Sequence, residues 1–168
     1  MLYDFEVAKK ITKIEDDELL SFYINSIILK IERIIGYKLS IETYEHFISG
    51  IDKMYVYTIG RPLKEILHIS KNNFDITEHC NIENDRKIGL DFELCNSEKI
   101  RAKYIAGYEE LPENIQLFMF LQVKNITDEL KNSNIKSYSI ETISYTFKDT
   151  EDKNSDFIKE VKNIFGGI

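Results

Sequence analysis

Three histidines and two cysteines are the side chains of this 168-residue chain best suited to proton transfer, nucleophilic attack or transition-metal binding. They are His46, His68, His79, Cys80 and Cys95. His79-Cys80, with Cys95 further on, is the one arrangement that suggests a metal site. Zinc sites gather four ligands from close spacings such as CxxC or HxxxH, and neither spacing occurs here. A cysteine nucleophile needs a base beside its sulfur, and linear spacing shows none for Cys80 or Cys95. No GxGxxG or GxxxxGK[ST] motif is present to cradle phosphate, and Gly166-Gly167 has no helix to open. No GxSxG elbow marks a serine nucleophile. The acidic run Glu15 to Glu18 could hold a cation, but a solvated helix start explains it more simply. The expectation is no catalytic residue, no cofactor and no metal, with an unrecognised cysteine or histidine enzyme as an alternative.

The bulk composition narrows the partners. Acidic side chains number 29 against 22 basic ones, for a net charge of -7. Such a surface repels nucleic-acid phosphates, so general DNA binding is disfavoured, although a local basic patch is compatible with it. Two thiols make no disulfide framework and suit a reducing cytoplasm. The first residues, MLYDFEVAKK, lack the basic-then-apolar order of a secretion signal. No apolar run approaches the roughly 20 residues that cross a bilayer, so no membrane is expected. The chain is predicted to stay in the cytosol or in a particle assembled there.

The elements follow from periodicity. DDELLSFYINSIILKIERIIG is the strongest helix, with Leu20, Ile24, Ile27, Ile31 and Ile34 on one face. Acidic residues crowd its start and Gly36 stands where a left-handed cap would end it. A shorter helix over Tyr3 to Thr12 would turn Phe5, Ala8 and Ile11 inward. The stretch 40–49 fits either helix or strand. Read as a strand, it pairs with KMYVYTIG in a hairpin. LKEILHIS reads as a strand after Arg61-Pro62, and KIGLDFEL with KIRAKYIAG makes a second hairpin across CNSE. Ile100, Ala102, Tyr104 and Ala106 alternate with charged residues up to Gly107, and Pro112 fits the first position of the next helix. In that helix the run Leu117 to Leu121 is apolar on every side, as in a helix central to a core or shared with a neighbour. Beyond it, alternation slips phase near Glu141-Thr142, and SDFIKEVKNIFGG closes the chain as a short amphipathic helix.

The predicted fold is therefore α+β: a helical bundle with a small antiparallel β subdomain inserted between the N-terminal helices and the long apolar helix. One domain, 1–168, would contain N-terminal helices (1–36), a β-rich part (39–106), a central helix (112–131) and a C-terminal arm with its short helix (135–168).

Taken in order, the acidic first helix ending in glycine, the RPLKEILHI strand, the join KYIAGYEELPENIQLFMFLQVKNITDEL and the arm IKSYSIETISYTF resemble the head–tail connector proteins of tailed bacteriophages. These are also called adaptor or head-completion proteins. The resemblance runs from about Asp16 to Phe147, and the AGY turn before Leu-Pro-Glu is its most specific part. It implies a non-enzymatic virion protein of the neck, assembled in the host cytoplasm. It also implies a homo-oligomeric ring, most often of twelve subunits, beneath the portal protein. Such a ring extends the DNA channel without gripping DNA and meets a tail or stopper protein on its other side. Together with the apolar run, it makes Leu117, Phe118, Phe120 and Leu121 the candidate subunit interface. Carried onto the C-terminal part, it makes Ile143, Tyr145, Phe147, Phe157 and Phe165 the candidate portal-docking residues. A competing reading is a small DNA-binding regulator with paired helices and β-wings. That reading requires a Lys- and Arg-rich recognition helix, which neither strong helix offers.

Overall fold

Capping and periodicity place the helices close to where the sequence puts them. The computed structural model describes residues 2–49, 54–94, 99–135 and 150–166. Among them, four α-helices and seven strands make a mixed α+β fold. The chain gathers into two compact units, a β unit (Met1–Leu2 and Gly36–Glu110) and a helical unit (Tyr3–Ile35 and Leu111–Ile168).

In the helical unit, α1 (Phe5–Thr12) starts at Asp4, whose carboxylate accepts from the Val7 amide at 3.0 Å. It stops at Lys13, held in the left-handed region at φ 60°. Helix α2 (Asp17–Ile35) is capped the same way, the Asp16 carboxylate accepting from the Leu19 amide at 2.9 Å. Leu20, Ile24, Ile27 and Ile31 are buried as expected, but Ile35 takes the inward place expected of Ile34. Gly36, at φ 82°, ends the helix where predicted. Helix α3 (Glu113–Ile135) begins one residue later than expected: the Pro112 carbonyl accepts from Ile115 and Gln116, so this proline is the cap. Helix α4 (Thr150–Ile164) buries Phe157 and Val161, with Phe165 just beyond its end.

Helix α3 is not apolar on every side in its packing. Ile115, Gln116, Met119, Phe120, Val123 and Thr127 are buried, whereas Leu117 and Leu121 stand 48 % and 43 % exposed. The reason is geometric. Helices α1 and α2 pack on α3 within the unit, and they close over one side of it. The buried Gln116 amide is satisfied, donating to the Leu111 carbonyl at 2.7 Å and accepting from the Asp4 amide at 2.8 Å.

In the β unit the segment 40–49 is a strand. The strands are β1 (Glu42–Ser49), β2 (Tyr55–Tyr57), β3 (Leu63–Lys71), β4 (Phe74–Asp75), β5 (Cys80–Asn84), β6 (Lys87–Leu90) and β7 (Lys99–Ala106). They form a four-stranded sheet in the order β1-β7-β3-β4 and a three-stranded sheet in the order β2-β6-β5. Among the described residues the strands of neither expected hairpin pair with each other. Strand β1 pairs with β7, Glu42 opposite Ala106 through Ser49 opposite Lys99, while β2 pairs with β6 in the other sheet. Strands β6 and β7, expected to pair, likewise lie in different sheets. Burial overrides the short connection: Ile100, Ala102, Tyr104 and Ala106 are all buried, and a strand with so apolar a face is worth most in the middle of a sheet.

The join after β7 is the tightest fit in the unit. Gly107 sits at φ 123°, and a Cβ there would lie 2.2 Å from the Ser40 carbonyl oxygen. Its amide donates to the Pro62 carbonyl at 2.9 Å, and the Tyr108 amide donates to Leu39 at 2.8 Å. Only glycine allows this approach.

Candidate functional site

The residues suited to chemistry are separated by their surroundings. His79 Nδ1 lies 2.9 Å from the Asp91 carboxylate on the exposed surface, and that hydrogen bond, helped by the Asp91 charge, raises the His79 pKa. Cys80 follows it, but its thiol is half-buried and donates to the Ile76 carbonyl at 3.2 Å. Burial, with Asp91 and Asp75 adding to it, pushes the Cys80 thiol up to about 11. A thiol so placed stays protonated, the opposite of an activated nucleophile. His68 reaches Asp75 at 3.5 Å, and hydrogen bonds from Thr77 hold the Asp75 carboxyl below its ordinary value.

His46 is different. It packs edge-on against Tyr104, with centroids 5.5 Å apart, and its Nδ1 is buried with no hydrogen-bond partner. Burial lowers its pKa, opposed by a hydrogen bond with the Tyr57 backbone. Tyr104 in turn stacks on Tyr44 and accepts from the Ile59 amide at 2.7 Å. These contacts belong to the interior of the β unit.

The acidic run also has local duties, with Asp16 capping α2 and Asp17 receiving Lys9 Nζ at 2.6 Å. Among the described residues no three His, Cys, Asp or Glu side chains converge as metal ligands, and Cys95 lies outside those residues.

What the helical unit offers instead is apolar surface. On α2, Leu19, Phe22 and Leu29 are 44 %, 64 % and 56 % exposed, on the side opposite the buried face. On α3, Leu117 and Leu121 project outward, while Phe120 is buried and meets Tyr3 edge-on at 6.2 Å between centroids. Phe118 is half-buried and stacks on Phe157 at 5.6 Å. Of the four residues expected at a subunit interface, the structure therefore puts two outward, one part-way and one inside. Of the expected portal-docking residues, Phe157 and Phe165 are buried, and Ile143, Tyr145 and Phe147 lie outside the described residues. The α2 face was not anticipated. Its signal, apolar residues at steps of three and seven out of phase with the core stripe, was present in the same segment.

No protein-family model matches this chain, and no curated protein matches it in sequence. In structure it is similar to a chain from the neck of an empty GTA particle computed with C6 symmetry. The TM-score is 0.53 at 10 % identity, with 93 % of this chain and 87 % of that chain covered. The likeness is one of fold. No helix among the described residues is long and apolar enough to cross a membrane.

Proposed function

We propose that this protein is a structural subunit of the neck of a phage-like particle, forming a ring beneath the portal that joins capsid to tail and extends the DNA channel. The observation that carries this reading is the fold shared with a particle-neck chain over 93 % of this one. The order of sequence elements supports it independently, since the join from β7 into α3 is the part most like head–tail connectors. A twelve-membered ring contains the sixfold axis under which that neck was computed. The net charge of -7 suits a conduit through which DNA slides, because phosphates find little to hold them. The role is non-catalytic. A protonated, backbone-bonded Cys80 and a His79 paired with Asp91 on the surface fit structural duty.

Tagging the protein in cells that make the particle tests the proposal. Purified particles should carry the tag in a fixed ratio to the portal protein, with labelling at the neck in electron micrographs. Particles that carry no tag, or carry it on the capsid shell or tail tip, would overturn it.

A further inference from the structure

Helix α2 is apolar on two opposite sides. Its inner side, from Leu20 to Ile35, is filled by the helical unit itself. Its outer side holds Leu19, Phe22, Ser26 and Leu29 within one narrow arc of the helix, with Arg33 at the end. Helix α3 repeats the pattern with Leu117 and Leu121 outward. Within the unit α2 packs against α3 and α4, and α3 against α1 and α2. Each outer face thus points away from the core that the two helices share. Isolated exposed leucines need no explanation, but two aligned faces on adjacent helices do.

We infer that the α2 outer face of one subunit docks on the α3 outer face of the next copy of this chain. The inference rests on the ring reading above and deepens it. A closed ring needs a heterologous contact: two different patches on each subunit, each fitting the other. The helical unit carries two such patches.

Their residues also complement each other when the helices run antiparallel. With a rise of about 1.5 Å per residue, Arg33 placed opposite Glu113 sets Leu29 opposite Leu117, each about 6 Å further along. Ser26 then faces Leu121, and its small side chain leaves the gap between Leu29 and Phe22 that the leucine fills. Phe22 comes opposite Lys124, as in a cation–π contact. Glu18 and Asp128 meet at the far end, where both are exposed to water. The parallel alignment also ends in one like pair, Glu18 with Glu113, and one opposite pair, Arg33 with Asp128, but it sets Leu29 rather than Phe22 opposite Lys124 and loses the cation–π contact.

The test uses one variant per face in the full-length chain. Phe22→Asp blocks the α2 face, and Leu117→Asp with Leu121→Asp blocks the α3 face. Leu29→Asp replaces Phe22→Asp if that variant does not show native circular dichroism. Sedimentation across the micromolar range should show wild-type chains associating and each variant alone weakened by roughly 30-fold or more, the change given by about 2 kcal/mol at a central contact. Mixing the two variants should restore a one-to-one pair and nothing larger, since each supplies the face the other lacks. A wild-type chain that stays monomeric, variants that still assemble, or a mixture that stays monomeric would each overturn the pairing. Variants that still assemble would point to a self-matched contact, and a mixture that stays monomeric would assign the faces to another protein. Particle association of the tagged wild type reports on the neck reading separately, so either idea can fail without the other.

Discussion

In the β unit, Ile100, Ala102, Tyr104 and Ala106 turn to one side of β7, and every one of them is buried. In the helical unit, α2 and α3 carry large apolar side chains on two sides and cover only one. The first unit is specified by backbone: an eight-residue register between β1 and β7, and a glycine pressed against the Ser40 carbonyl. The second is specified by side-chain fit, with α1, α2 and α4 closing over stripes of isoleucine and phenylalanine. The difference teaches where each unit can meet a partner. The β unit also leaves apolar side chains in water, Phe47 and Phe74 at 75 % and 76 % exposed on different strands, whereas the two-sided helices line theirs along one face of a regular surface.

Three changes would break or sharpen that contrast. The largest effect is expected in the helical unit, where Phe120→Ala empties a fully buried ring site. A loss of about 3–5 kcal/mol should be read by denaturant unfolding. A loss below about 1 kcal/mol would mean that this unit is not held by close side-chain packing.

In the β unit a single added methyl group should do nearly as much damage. Gly107→Ala combines a backbone angle that L residues rarely adopt with a carbon 2.2 Å from the Ser40 oxygen. Strain and overpacking together should cost about 3 kcal/mol in the same measurement. If the variant unfolds at the wild-type midpoint, the backbone approach is not what holds β7 to the segment before β1.

The smallest effect is expected from pH and concerns His46. Burial favours its neutral form, so the folded chain binds this proton more weakly than the unfolded chain does. Its contribution is complete above the ordinary value of 6.5 and is lost as pH falls through the lower folded value. His79 works in the opposite sense, since its raised pKa favours the folded chain below 6.5. The two separate by mutation. His46→Gln should flatten the loss of stability between about pH 7 and 5 relative to wild type. Equal slopes in the two proteins would show that His46 is not protected from its proton.

Helix existence, caps and class were legible in the residues alone. A period of 3.6 is a local property, so Leu20, Ile24, Ile27 and Ile31 announce their common face without knowing what covers it. Asp16 and Gly36 mark the ends of α2 through hydrogen bonds and angles a few residues long. Strands β3 and β7 were equally plain, one as an unbroken β-rich run and the other through strict alternation.

Strand partners were not legible. Backbone ladders are chemically alike, and on β1 both Tyr44-His46-Ile48 and Thr43-Glu45-Phe47 mix polar with apolar side chains. Nothing local tells β1 that its partner lies more than fifty residues on, at β7. The inside and outside of α3 were hidden for a related reason. Leu117, Phe118, Met119, Phe120 and Leu121 are all apolar, and only the positions of α1 and α2 bury Phe120 while leaving Leu117 exposed. Periodicity and capping act within a few residues of the chain, so the sequence alone determines them. Partner choice and the outward face depend on which distant surfaces bury the most apolar area together, and tertiary structure alone decides that.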